Sequence, residues 1–170
     1  MRSATVNGKN SQRPWARNGR RRGAAMVEFA FIMPVFLTLL GVLEIGKALE
    51  ASNLLSSAVR EGGRLAAMDW QEVVSDGTTP NQKVIDDIKN FLAASKIPAD
   101  QASVTITSAE GSDEGQTFDL ADPANKLRLF RITASIPFSA VSTFPSNFMN
   151  GQTITASLVF RTGGSLTSGS

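Results

Sequence analysis

The dominant feature of the hydropathy pattern is an apolar run from Ala24 to Leu43, AAMVEFAFIMPVFLTLLGVL, twenty residues with a single charge at Glu28. At about 1.5 Å per residue such a run spans a hydrocarbon core about 30 Å thick, so 24–43 predicts a transmembrane helix. Pro34 removes one backbone hydrogen bond inside it and predicts a local bend. Past Leu43 the pattern becomes amphipathic. Ile45, Ala48, Leu49, Ser52, Leu55, Ser56, Val59 and Ala66 recur at three- and four-residue steps, while Glu44, Lys47, Glu50, Arg60, Glu61 and Arg64 take the other side. The helix is therefore expected to continue over 44–69, with Gly62-Gly63 as its weak point. A helix over 24–67 would be roughly 66 Å long, so half of it must lie outside any bilayer.

The second half changes period. Asp76-Gly77 signals a turn, and Thr79-Pro80 with Gln82 three residues on resembles a capped helix start. Val84, Ile85, Ile88, Phe91 and Leu92 then mark one apolar face, predicting a helix over Pro80 to Ser95 that ends before Ile97-Pro98. Beyond it, Ser103 to Thr107, Phe130-Ile132-Ala134-Ile136 and Ile154-Ala156-Leu158-Phe160 alternate with period two and predict antiparallel strands. Gly115 to Leu120 is a candidate for a further short strand. The phase change between Leu127-Leu129 and Phe130 predicts a bulge or a late strand start. The expected fold class is α+β: a long N-terminal transmembrane helix continuing into a domain over 70–162 with a second helix and a small antiparallel sheet. Residues 163–170, GGSLTSGS, read as a flexible tail.

Charge orients the chain. Residues 1–23 hold seven bases, Arg2, Lys9, Arg13, Arg17, Arg20, Arg21 and Arg22, and no acid, while the remainder carries ten bases against fifteen acids. Bases directly before an apolar segment obey the positive-inside rule, which places this leader in the cytoplasm and residues after 43 on the far side. A nucleic-acid partner is not expected, because Trp15 is the only aromatic among those bases. The chain has no Cys and no His, which removes disulfides, thiol nucleophiles, His general bases and Cys/His metal sites. Most catalytic templates fail on that ground, and no cofactor is expected. A cleaved secretory signal is the nearest rival for the apolar run, but the run is long for such a segment and no small-x-small site follows among Glu44-Ile45-Gly46-Lys47.

The chemistry concentrates at the start of the apolar run. An acid at mid-bilayer costs about 2.5–3.5 kcal/mol, less near an interface, so Glu28 needs a reason. It either pairs with Arg21 or Arg22 near the headgroups, or serves a process that changes the charge beside it. Cleavage between Gly23 and Ala24 would do the latter, since the new α-ammonium would lie about one helical turn from Glu28 and the basic leader would be gone.

Gly23-Ala24-Ala25-Met26-Val27-Glu28-Phe29 resembles the site cut by prepilin peptidases, with Gly before the cut and Glu fifth after it. Over residues 20–67 the chain resembles TadE-like pseudopilins of the tight-adherence, or Flp, pilus system. Glu44-Ile45-Gly46-Lys47 is similar to that family's Glu-aromatic-Gly-Arg element, with Ile45 replacing the aromatic. Ala58-Val59-Arg60-Glu61-Gly62-Gly63-Arg64 is similar to its Ala-Ala-Arg-Glu-Gly-Ala-Arg element, with Gly63 replacing Ala. The resemblance implies a non-enzymatic, pilin-like subunit of a bacterial inner membrane. Its implied partners are a prepilin peptidase, other pilin-like subunits, pilus assembly proteins and the lipid bilayer. It implies Gly23 and Ala24 as the scissile pair and Glu28 as the acid for processing or assembly. Glu44, Gly46, Lys47, Arg60, Glu61, Gly62 and Arg64 are its structural positions, the charged ones also fitting a solvated helix face. The alternative is an uncleaved anchor whose outer domain binds a partner or polysaccharide.

Three further features admit bland readings. Glu110, Asp113, Glu114, Asp119 and Asp122 form an acidic stretch that could hold calcium, although it lacks EF-hand spacing and a solvated loop accounts for it. Ser95-Lys96 is a helix end rather than a catalytic pair. Phe138, Val141, Phe144, Phe148 and Met149 form an apolar connection that fits burial in the domain's own core or a partner-binding patch.

Overall fold

The computed structural model describes residues 18–68, 77–142 and 151–163, with side chains from residue 23 onward. The chain divides into two compact units, Met1–Val42 and Leu43–Ser170.

Helix α1 spans Asn18–Ala66 and is continuous through Pro34. It starts earlier than the hydropathy pattern indicates, because Arg20, Arg21 and Arg22 are good helix formers and extend it backwards through Gly23. The last residues of the basic leader, from Asn18 on, thus belong to the helix; Arg2, Lys9, Arg13, Trp15 and Arg17 lie outside the described residues. At Pro34 the missing N–H is followed by a local side-chain bond, in which the Thr38 hydroxyl donates to the Pro34 carbonyl at 2.8 Å.

In the second unit, α1 buries a narrow stripe: Ala51, Leu55, Ala58, Val59, Gly62, Gly63 and Ala66. Helix α2, Pro80–Ala94, lays Val84, Ile88 and Leu92 beside it. Its start follows from local chemistry. Thr79 is the N-cap, its hydroxyl accepting from the Gln82 N–H at 3.2 Å, and Pro80 occupies the first turn, where no N–H is needed. Its end is a Schellman turn: Ile97 N–H donates to Leu92 O at 2.9 Å and Lys96 N–H to Ala93 O at 3.0 Å. Lys96 therefore sits at φ 62°, a left-handed conformation that glycine adopts without strain.

Three strands form an antiparallel meander, β1 Ser103–Ser108, β2 Leu129–Pro137 and β3 Thr153–Arg161, in the order β1-β2-β3. The registers Ile106↔Ile132↔Leu158 and Ala134↔Ala156 put the even-numbered residues on one face. That face joins the helices in one core containing Ile106, Phe130, Ile132, Ala134, Ile136 and Ala156. At about 1.5–3 kcal/mol per fully buried large side chain, Leu55, Ile88, Phe130 and Ile132 are principal sources of stability. The opposite face carries Thr105, Thr107, Arg131, Thr133, Thr155 and Ser157. Strand β2 starts late, as the phase change predicts, because Leu127 turns the chain at φ 62°. The short strand anticipated over Gly115 to Leu120 reduces to one bridge, Thr107 to Thr117. Phe118 within it instead buries its ring against Phe130, with centroids 5.5 Å apart.

Gly62-Gly63 is a contact point and not a helix break. A β-carbon on Gly62 would overlap Cγ1 of Ile88 in α2, and one on Gly63 would overlap the Phe160 ring of β3. Adjacent helix positions point about 100° apart, so two consecutive glycines let α1 approach a helix and a sheet at once.

Candidate functional site: the apolar helix and its family-pattern positions

Every described side chain from residue 23 to residue 39 is exposed. Met26, Phe29, Phe31, Ile32 and Leu37 present large apolar surfaces, Phe31 at 75% exposure. A continuous apolar surface of this extent is incompatible with water and suited to lipid. Among the described residues, Gly23–Ala66 contains the one helix long and apolar enough to cross a membrane. The structure thus supports single-pass membrane anchoring through the N-terminal part of α1.

Gly23, Ala24 and Glu28 all lie in helical backbone on this surface. Gly23 is exposed, and a β-carbon there would meet nothing within 4 Å. Its glycine character answers to no packing demand among the described residues, unlike that of Gly62 and Gly63.

The remaining pattern positions separate by environment. Glu44 is half-buried, and its Oε2 accepts from the Ser142 hydroxyl at 2.8 Å, which ties α1 to the chain following β2. Lys47 pairs with Glu50 at 3.4 Å, and Arg64 pairs with Glu61 at 3.1 Å; both are exposed i,i+3 pairs of the kind worth up to about 1 kcal/mol. Arg60 and Gly46 are exposed, and Gly46 has open space where a β-carbon would sit. Gly62 is buried against α2. The pattern therefore contains two residues that hold the domain to its helix, Glu44 and Gly62, among others that face outward.

The acidic stretch is organised by one residue that sequence reasoning missed. Arg128 Nη2 donates to both oxygens of Asp113, at 2.7 and 2.9 Å, and its Nη1 donates to Asn125 Oδ1 at 3.2 Å. Glu110 Oε1 accepts the Leu129 N–H at 2.9 Å, and Glu114 pairs with Arg131 at 3.3 Å. Asp119 and Asp122 accept from the backbone N–H groups of Ala121 and Ala124, each at 2.9 Å. The Arg128 hydrogen bonds hold the Asp113 carboxyl below its ordinary range and raise the guanidinium in turn. Each of the five carboxylates has a protein partner. No group of three or more acids among the described residues is placed to hold a metal ion. The sequence holds no spacing signal for Arg128, because its partner Asp113 is fifteen residues away across a loop.

A cavity of about 420 Å³ opens where α1 ends and α2 begins, lined among others by Met68, Thr79, Pro80, Leu120, Asn125 and Thr162. Its polar side chains serve the fold. Thr79 caps α2, the Asn125 amide donates to Asp119 O at 2.8 Å, and the Thr162 hydroxyl donates to Asn125 O at 2.6 Å. Asn81, also unforeseen, bridges α2 to the adjoining segment, accepting from Leu120 N–H at 2.9 Å and donating to Phe118 O at 2.6 Å. Ser95 and Lys96 form the end of α2, and Phe138 is buried while Val141 is half-buried; Phe144, Phe148 and Met149 lie outside the described residues.

A helix of this length with a lipid-compatible N-terminal surface, followed by a small α+β domain, supports the class of single-pass membrane-anchored proteins. Residues 23–64 match the family model described as TadE-like protein, which supports a membrane protein related to the tight-adherence pilus. The match begins at Gly23 and ends within α1, so α2 and the sheet lie beyond it. Neither a curated protein nor a solved structure matches the chain.

Proposed function

We propose that the chain is a pseudopilin-like structural or assembly subunit of a tight-adherence (Flp) pilus or a related secretion machinery, cut by a prepilin peptidase between Gly23 and Ala24. In this reading residues 1–23 are a cytoplasmic leader, 24–43 the inner-membrane span, 44–69 its amphipathic extension and 70–162 an extracytoplasmic domain. The basic leader supports that orientation. The partners are the peptidase, other pilin-like subunits and the assembly proteins of the pilus.

One observation carries the reading: the matched stretch begins at Gly23, and the exposed apolar surface that follows bears one acid, Glu28. Lipid exposure of a lone carboxylate is costly. Cutting after Gly23 creates an α-ammonium at Ala24, four residues and about 6 Å of helix rise from Glu28. The cation of one subunit can then neutralise the Glu28 carboxylate of its own chain or of a neighbour, and this favours registered packing of helices over dispersal in lipid. Gly23 suits the cut because a glycine in a helix lowers the cost of opening the backbone for the peptidase by about 1 kcal/mol relative to alanine.

Glu28→Ala and Glu28→Gln are expected to lower processing or incorporation into pili, with Glu28→Asp retaining part of either. Immunoblots of leader removal and of sheared surface fractions read both steps. Normal maturation together with normal piliation in Glu28→Ala would remove the proposed role of this acid.

A further inference from the structure

The two edges of the sheet are finished differently. On β1, the segment after the acidic loop covers the outer side: Ser108 N–H donates to Gln116 O at 2.8 Å, Gly115 N–H to Ser108 O at 2.9 Å and Phe118 N–H to Ile106 O at 3.1 Å. No such cover bonds to β3 among the described residues. Hydrogen bonds flanking β3 fix which of its groups face outward. Phe138 N–H donates to Gln152 O at 2.8 Å and Thr162 N–H to Arg128 O at 3.1 Å, so even-numbered positions bond to β2. Antiparallel ladders alternate, and the odd-numbered residues Thr153, Thr155, Ser157, Val159 and Arg161 therefore turn both N–H and C=O away from the sheet.

Among the described residues this edge lacks the usual safeguards. It runs nine residues in unbroken register with β2, without proline or bulge, and its one charge, Arg161, is at the end. Its sequence is also self-complementary about Ser157. Laid antiparallel on itself with Ser157 opposite Ser157, every outward-facing odd residue meets another: Thr153 faces Arg161 and Thr155 faces Val159. On the core face, small Ala156 meets Leu158 and Ile154 meets Phe160, so both faces keep their character. No like charges oppose each other.

We propose that β3 pairs with β3 of a second copy of this chain, antiparallel and two-fold symmetric through Ser157, forming a continuous six-stranded sheet. The contact lies outside the family-matched stretch and does not depend on processing at Gly23. Pairing in this register satisfies the outward N–H and C=O groups of all five odd-numbered residues in each copy. It also shields Ile154, Leu158 and Phe160, which are half-buried in the single chain.

The absence of native cysteine provides a clean test. Residues opposite each other in a hydrogen-bonded antiparallel pair have Cα atoms about 5.5 Å apart, inside the disulfide range of about 4.4–6.8 Å. Ser157 is exposed, so Ser157→Cys is compatible with the fold. The full-length chain is purified in detergent, with micelles in excess so that helices rarely share one, and oxidised mildly. Ser157→Cys should form disulfide dimers at least about tenfold faster than Thr155→Cys alone, whose self-distance across the axis is about 13 Å, four residues of strand. It should equally outpace Ser135→Cys on the open face of β2. A mixture of Thr155→Cys and Val159→Cys chains should cross-link with each other. Ser157→Pro, which removes an outward N–H and the exposed hydroxyl contact with Thr133 at 3.1 Å but no β2–β3 ladder bond, should turn the wild-type dimer into a monomer in light scattering while β2 keeps its amide protection. Equal cross-linking at Ser157, Thr155 and Ser135, a persistent monomer in Ser157→Cys, or an unchanged dimer in Ser157→Pro would each overturn the proposal.

Discussion

Gly62→Ala isolates the packing logic of the domain, because helix propensity and sterics predict opposite signs. In an open helix position, alanine is favoured over glycine by about 1 kcal/mol. Gly46 offers that open position within the same helix, since nothing lies within 4 Å of an added β-carbon. At Gly62 the methyl group would occupy the space of Ile88 Cγ1, with Val84 Cγ1 3.6 Å away, and Ile88 is 1% exposed in the centre of the core. Ile88 cannot swing into solvent, so either its rotamer or the α1–α2 separation must give. Overpacking of this kind costs about 1–3 kcal/mol, which outweighs the propensity gain and leaves a net loss of up to about 2 kcal/mol. For a domain of this size that corresponds to a melting shift of about 4–8 °C per kcal/mol. Hydrogen exchange of the β2 amides reads domain stability directly in the detergent-solubilised chain, without interference from the lipid-facing helix. Gly46→Ala should be neutral or protective there, and Gly62→Ala should accelerate exchange. Shortening the neighbour by Ile88→Val should partly rescue Gly62→Ala, giving a coupling of at least about 0.5 kcal/mol between the two positions. Protection in Gly62→Ala equal to that in Gly46→Ala, or strict additivity with Ile88→Val, would refute the assigned contact.

Other consequences follow from the polar structure. Asp113 is held below its ordinary range by Arg128, so its contribution to stability is complete above the unfolded-state aspartate value and is lost as pH falls through the lower folded one. Acid titration of β2 amide protection should therefore show an acid-side loss that is weaker in Arg128→Ala, and identical acid profiles for the two chains would contradict this pairing. Lys96 sits at φ 62° in the Schellman turn, so Lys96→Gly should stabilise the domain by about 0.5–1 kcal/mol, measured by urea titration, whereas a loss of stability would show that its side chain does more than tolerate the turn.

The elements whose signal is local periodicity were legible in the sequence. The apolar run, the face of α2 with Val84, Ile88 and Leu92, and the alternation Phe130-Ile132-Ala134-Ile136 each carry their fold in their own spacing. The Thr79-Pro80 start was legible for the same reason, because a cap needs only three neighbouring residues. Gly62-Gly63 was misread as a weakness because its explanation lies in Ile88 and Phe160, which are distant along the chain. Likewise the acidic stretch could be seen as acidic but not as fastened, since Arg128 reaches Asp113 through a long loop. Asn81 and Ser142 make their key bonds across 39 and 98 residues, and no local pattern announces such partners. The start of α1 was displaced because hydropathy ends at Ala24 whereas the helix propensity of the arginines does not.

The central claim is that residues 1–23 are a leader removed from a pilin-like subunit, and the intact mass of the mature chain tests it most directly. Purified from its native membrane, the chain is predicted to begin at Ala24, and replacing Gly23 by a bulky residue is predicted to leave the leader attached. A mature protein beginning at Met1, or lacking only the initiator Met, would identify an uncleaved anchor; a start beyond Leu49 would identify a secretory signal. Either result would contradict the account.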